Sequence, residues 1–451
     1  GYYFRYDDTG KLRSDSGCGN DVASERAMAR RYIVHSVEYW AKNYNVDGFR
    51  FDLMGLLDRT TMNEVRTALK KIDPSIIVIG EGWDMTEALG DESTIQPKAD
   101  KVPGVAFFND SLRDALRGSV FANEDTGFVS GKTGLENLVA TNLMGCDNTR
   151  RLIHCSNGKA DTNYAGADQV VQYAEIHDNL TLYDKLKLSV PGDDEATLVR
   201  RAKLADSAIF LSQGITDMQL GQEFLRTKSG NGNSYNAGDA VNAIQWDRTA
   251  QYRDSVDYVK GLIALRRQIK ALHMTSYADI AANMTILSEA NGVVSYQLKS
   301  HDGTYVMIFN AKNTKRIDTS IPAGTYEVLA ADGSVDLTGK ETTEVTATGY
   351  EASGLSATVL KQRSDTAPTD DTHTGGSAGG DNHTGIKPQN GHSNAPHAAR
   401  GNGEASATAT HDRRARIVRT GASVAVIAAA LTGLTLLGIA LTMLTRRNPQ
   451  Q

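Results

Sequence analysis

Cysteine is scarce in this chain: Cys18, Cys146 and Cys155 are the three in 451 residues. None has the spacing of a metal site, and an odd number makes a poor disulfide framework. A Cys146–Cys155 bridge is compatible with a secreted protein and stays open. Basic charge is also short. Lys and Arg number 48 against 54 Asp and Glu, a formal net charge of −6. This balance argues against a nucleic-acid partner, because neutralising phosphates needs a basic surface. There is no Gly-x-Ser-x-Gly nucleophile elbow, no initiator methionine and no signal peptide. The start at Gly1-Tyr2-Tyr3-Phe4 leads us to expect a processed product or a fragment, with fragment preferred.

The length suits two or three domains rather than one. Over residues 1–272, short apolar runs alternate with amphipathic stretches. Ala23 to Tyr44 reads as a helix with Ser24 as N-cap and Tyr32, Val34, Val37 and Trp40 on its apolar face. Thr60 to Ile72 reads as a second helix, stopped by Pro74. Strands are expected at Val46 to Asp52, Ile76 to Gly80, Val105 to Asn109, Val170 to Ile176 and Ile215 to Leu220. Strand–helix repetition at this spacing means βαβ units and a parallel sheet. Over 273–363 the pattern becomes all-β, with Asp302-Gly303 and Asp332-Gly333 as hairpin turns, and a small sandwich is expected. Residues 364–410 are poor in large apolar side chains and read as a disordered linker. Residues 411–451 read as a membrane or cell-wall anchor, with an apolar span over 421–445 long enough to cross a bilayer. Arg413, Arg414, Arg416 and Arg419 precede the span, and Arg446 and Arg447 follow it.

Three of the buried-strand patterns end in acids. In Asp47-Gly48-Phe49-Arg50-Phe51-Asp52, strand alternation puts Arg50 and Asp52 on one face and both phenylalanines on the other. Taken alone, Arg50 and Asp52 also suit a structural ion pair. Glu81 follows Ile76-Ile77-Val78-Ile79-Gly80, with Gly82, Trp83 and Asp84 after it; a helix N-cap is the bland role there. The glycines flanking Glu81 suit a tight turn and the approach of a ligand, and Trp83 offers a face for a sugar ring. The third run closes on His177, Asp178 and Asn179. A His beside an Asp also suits half of a hydrolase triad, but no nucleophile elbow accompanies it. Acids at the C-terminal ends of three strands are the equipment of glycoside hydrolysis in an α/β barrel.

These segments resemble, in order, the second, third and fourth sequence regions of the α-amylase superfamily. Gly17-Cys18-Gly19-Asn20-Asp21, Asp52-Leu53-Met54-Gly55, His177-Asp178-Asn179-Leu180-Thr181-Leu182, Gly221-Gln222-Glu223-Phe224-Leu225-Arg226-Thr227-Lys228 and Asn233-Ser234-Tyr235-Asn236 are similar to type I pullulanases, over roughly residues 1 to 362. The resemblance implies a partial (β/α)8 TIM barrel, its strands roughly the fourth to the eighth and its N-terminal strands missing. The superfamily's Asp-x-x-x-Asn-His region and the subfamily's Tyr-Asn-Trp-Gly segment are absent, so the chain alone is expected to be inactive or unstable. By position, Asp52 is implied as nucleophile, Glu81 as acid then base, and Asp178 as transition-state stabiliser. Arg50 orients Asp52, His177 binds the sugar at the cleavage subsite, Trp83 stacks on substrate, and Asn179 is a further substrate contact.

The implied activity is retaining hydrolysis of α-1,6 bonds in pullulan, amylopectin and related dextrins. Isoamylase, α-1,4-acting amylase, amylopullulanase and a non-catalytic α-glucan-binding surface protein are the alternatives. No metal ligands are assigned; calcium is the one ion left open. Ile417-Val418-Arg419-Thr420-Gly421 resembles a degenerate Leu-Pro-x-Thr-Gly sorting signal. It implies an extracellular protein of a Gram-positive bacterium, held at membrane or wall, with sortase as a partner.

Overall fold

The computed structural model describes residues 2–363. The first sheet is five-stranded and wholly parallel, its strands in chain order: β1 (Gly48–Phe51), β2 (Ile77–Gly80), β3 (Ala106–Phe108), β4 (Val170–Gln172) and β5 (Ile215–Thr216). With its helices it forms part of a TIM barrel, left open between β1 and β5. Phe49 and Phe51 pack outward against Val37 of helix α1 (Ala27–Tyr44) and Val65 and Leu69 of α2 (Arg59–Ile72). Arg50 is left for the inner face, as strand alternation requires.

β4 and β5 are shorter than the apolar runs suggest. Asp217 N–H donates to the Gln172 carbonyl (2.9 Å), and beyond that bond Tyr173 to Ile176 leave the sheet. α1 also starts later than expected, at Ala27. Ser24 does not cap it, because its hydroxyl accepts the Asp58 N–H (2.9 Å) and its carbonyl accepts the Thr61 hydroxyl (2.9 Å). Asp58 caps α2, its carboxylate accepting the Thr61 N–H (2.9 Å), and ties that start to α1 by an ion pair with Arg30 (3.0 Å). Of the apolar face read on α1, Val37 is buried, while Tyr32 and Trp40 are 66% and 46% exposed.

Helices α3 (Asp110–Arg117) and α4 (Glu136–Leu143) lie between β3 and β4, and α5 (Leu182–Ser189) and α6 (Glu195–Phe210) between β4 and β5. Cys146 and Cys155 are joined by a disulfide and buried.

The second sheet is antiparallel. Its path, Ser334–Val335, Gly324–Ala331, Ser356–Gln362, Gly303–Asn310, Val293–Ser300 and Met284–Ala290, carries Thr342–Val345 as a branch on Gly324–Ala331. Asp332 and Gly333 both take positive φ (46° and 75°) in the hairpin the sequence marked. Alternation gives this sheet two buried faces. Val294, Tyr296, Leu298, Met307 and Phe309 join a core with Leu204, Ala208, Leu262 and Leu265 of the helical region. Val293, Val306, Ile308, Tyr326 and Leu360 form a core of their own on the other side. The remaining layer is only a two-stranded ribbon, Arg316–Asp318 with Tyr350–Ala352, so the domain is lopsided rather than an even sandwich. Among the described residues, no helix is long and apolar enough to cross a membrane. The linker read at 364–410 and the anchor at 411–451, with its span 421–445 and sorting signal, lie outside the described residues.

Candidate active site

All five parallel strands point their C-terminal ends the same way, and the acids read from the sequence stand there. Arg50 organises two of them. Its Nη1 pairs with Asp52 Oδ1 at 2.6 Å and its Nη2 with Glu81 Oε1 at 2.8 Å. The other Glu81 oxygen accepts the Leu53 N–H (3.0 Å). Leu53 takes a left-handed conformation (φ 45°), an uncommon state for a non-glycine residue. It turns the backbone just after Asp52 and aims that N–H at Glu81.

Glu81 is buried while the Asp52 side chain is 69% exposed. Burial is the main force raising the Glu81 pKa above the ordinary carboxylate range. The Leu53 N–H and Arg50 pull it down, and Asp52 and Asp178 push it up again. The structure thus brings Asp52, Glu81 and Asp178 into electrostatic range of one another. His177 Nε2 lies 3.4 Å from Asp178 Oδ2, and Lys228 Nζ holds the His177 carbonyl (2.6 Å). Asn179 has φ 64° and completes the turn.

A cavity of about 430 Å³ opens beside these groups, with Glu81, Trp83, Asp178 and Asn179 on its wall. Arg50, Asp52 and His177 are not part of that wall. The glycines beside Glu81 do different work from the turn expected. A Cβ on Gly80 would lie 2.7 Å from Met54 Sδ, and one on Gly82 2.4 Å from the Phe107 ring. They are small because protein packs against them, not because a ligand does. Gly55 is the tighter case, since a Cβ there would sit 1.9 Å from the Trp83 carbonyl oxygen. Its N–H donates to the Glu81 carbonyl (2.9 Å), locking the two strand ends together.

Further residues enter the site unannounced by the sequence reading. Asp110, the first residue of α3, lines the cavity, and burial pushes its carboxyl up to about 6 against the pull of Arg113. Arg113 donates to the Tyr173 hydroxyl (2.9 Å) and its guanidinium lies 6.0 Å from the Trp83 ring centre. Asp217 follows β5 directly. Its Oδ2 is buried without a hydrogen-bond partner, and burial raises its pKa while Arg50 and His177 lower it. An acid just past a strand was the available signal, masked by a strand of only two residues. Among the described residues, no group of three or more His, Cys, Asp or Glu side chains has the arrangement of a metal site.

An open parallel barrel with an Arg-bridged acid pair at its C-terminal mouth, one acid exposed and one buried, defines a glycoside-hydrolase type of site. No family model matches the chain. Comparison with known proteins is specific nonetheless. The pullulanase of Bacillus subtilis (strain 168) is 37% identical over 303 residues, 67% of this chain and 41% of that protein. The crystal structure of type I pullulanase from the same species, complexed with maltose, superposes with a TM-score of 0.74 at 32% identity, covering 81% of this chain and 50% of that one. A pullulanase from Anoxybacillus sp. LM18-11, complexed with maltotetraose, gives 0.73 at 34% identity, covering 80% and 50%. The chain is a homologue of the pullulanases, glycoside hydrolases of the α-amylase family. It spans about half the length, or less, of these relatives.

Proposed function

We propose that this sequence carries the catalytic acids of a retaining α-glucan debranching hydrolase that cleaves α-1,6-glucosidic bonds in pullulan, amylopectin and related dextrins. The observation that carries the reading is Arg50 bridging exposed Asp52 and buried Glu81. A nucleophile must be ionised and reachable, whereas an acid catalyst must keep its proton, and burial with two like charges nearby favours the proton on Glu81. Protonated Glu81 gives its proton to the glycosidic oxygen as that bond breaks, and Asp52 bonds to the anomeric carbon. Glu81, now a carboxylate, takes a proton from water, whose oxygen displaces Asp52 and regenerates both groups. Asp178 steadies the distorted ring through its hydroxyls. His177, Trp83 and Asn179 hold sugar, in keeping with the malto-oligosaccharides in the relatives' crystals.

We place the protein outside the cell, held at membrane or wall by 411–451. That reading rests on the apolar run at 421–445 and its arginine flanks.

The protein carrying this sequence is incubated with pullulan and, separately, with linear amylose. Maltotriose from pullulan with amylose intact supports the debranching reading. Shortened amylose reassigns the enzyme to α-1,4 or dual specificity. No product from either leaves a glucan-binding protein, and unchanged pullulan hydrolysis by D52A removes the mechanism.

A further inference from the structure

Behind His177 and Asp178 lies a buried carboxylate that the reaction above does not use. Glu175 is 1% exposed. Its carboxylate accepts the backbone N–H of Leu182, the first residue of α5. With the Gln219 amide turned to the orientation that satisfies its neighbours, its nitrogen donates to Glu175 Oε1 (2.9 Å) and to the Ile176 carbonyl (3.1 Å). Residues 176–181, which carry His177 and Asp178, are therefore a closed turn, with Glu175 joining its two ends from inside. Two cations fasten the same turn from outside: Arg117 Nη1 donates to the Leu180 carbonyl (2.7 Å) and Lys228 Nζ to that of His177 (2.6 Å). Lys228 is fixed in turn, its N–H donating to the Asp184 carboxylate (2.7 Å).

We propose that Glu175 is the positioning residue of this site: by clasping Leu182 across the turn it holds Asp178 and His177 in place over Glu81. A buried N–H that loses its acceptor costs far more than an exposed one. The turn has no regular ladder of its own, so this bond has no substitute within it. The clasp needs an acceptor oxygen rather than a charge, so Gln at the position should serve and Ala should not. The catalytic consequence rests on the glycosidase reading above; the clasp itself does not.

Hydrogen–deuterium exchange over 176–182 separates the two. In E175A, exchange in this segment should rise about tenfold or more, with the strands Val293–Ser300 and Gly303–Asn310 protected as before. E175Q should stay within about twofold of the parent, and Q219L should fall between. Should E175A not fold, slow exchange in E175Q and faster exchange in Q219L carry the same conclusion. Unchanged exchange in E175A, or in Q219L where E175A does not fold, overturns the clasp. On pullulan, E175A should lose about tenfold or more in kcat with KM nearly unchanged, and E175Q should recover it. Parent-like kcat in E175A removes the positioning role. If exchange responds as expected while the parent cleaves neither pullulan nor amylose, the clasp stands and the glycosidase reading fails.

Discussion

Arg50 stands between two acids that need opposite protonation states, and it acts on them through the same guanidinium. Replacing it with methionine removes the anchor of Asp52 and one of the two influences that hold the Glu81 pKa down. The first effect should lower kcat about 100-fold or more, the cost of a misplaced nucleophile. The second has a definite sign: the Glu81 pKa rises further, so the alkaline limb of the pH–rate profile moves to higher pH. A limb that stays put, or moves down, would show that Glu81 is not the acid. R50K should rescue little, because an ammonium lacks the planar fork that reaches both carboxylates. At this scale the sequence was legible wherever an acid closed a long apolar run, as Glu81 does. It was silent on Asp217, whose strand is two residues long, and on Glu175, which reads as one more strand residue until the chain leaves the sheet at Tyr173. Ser24 misled because its helix-start context is ordinary, while its actual partners, Asp58 and Thr61, are more than thirty positions away.

Helix α6 carries a fully buried acid, Asp206, whose Oδ1 accepts from Gln222 (2.6 Å) and whose Oδ2 has no partner. Burial pushes its carboxyl up to about 8, Gln222 opposes, and Glu175 and Glu223 add to the rise. A folded-state pKa raised this way favours the fold below the unfolded value, and that contribution is lost as pH rises through about 8. D206N cannot ionise and keeps the oxygen that Gln222 needs. Its melting temperature should match the parent's near pH 4, pull ahead as pH rises from there, and exceed it by about 2 °C or more at pH 8. Thermal scans across pH decide this, and parallel curves for the two proteins would refute it. Between α4 and β4, the Cys146–Cys155 bridge closes a separation of nine residues. Loop closure of that size is worth about 2–3 kcal/mol. Replacing both cysteines with alanine should lower the urea midpoint accordingly with an unchanged m-value; an unchanged midpoint would mean the loop is held without it. Spacing and count left this pair undecided. The fold settles it by burying both sulfurs beside Asn142.

Across the whole molecule, the change of pattern near residue 273 was plain in the sequence, but the sharing of one core across it was not. Strand alternation tells that Val294 and Tyr296 face one way and Val293 the other, not that the first pair packs on α6 and the helix Arg253–Gln268. The half-barrel's other side has no such cover among the described residues. β1 is an edge strand there. In the segment before it, Tyr2, Tyr3, Tyr32, Tyr39, Trp40 and Tyr44 are each between 46% and 66% exposed. The Trp40 and Tyr44 rings meet at a tilt of 37°, their centres 4.6 Å apart. An unpaired edge together with two exposed aromatic clusters, Tyr2–Tyr3–Tyr32 and Tyr39–Trp40–Tyr44, invites pairing with another surface of the same kind. The 451-residue chain studied alone should therefore self-associate with concentration. Light scattering behind size exclusion should show masses above its 48.7 kDa, falling toward that value in a W40K/Y44K variant. Both residues are exposed enough for the variant to keep its fold, which far-UV circular dichroism would check. A single-chain mass for the parent at every concentration would mean that the edge and the clusters are already covered within this chain.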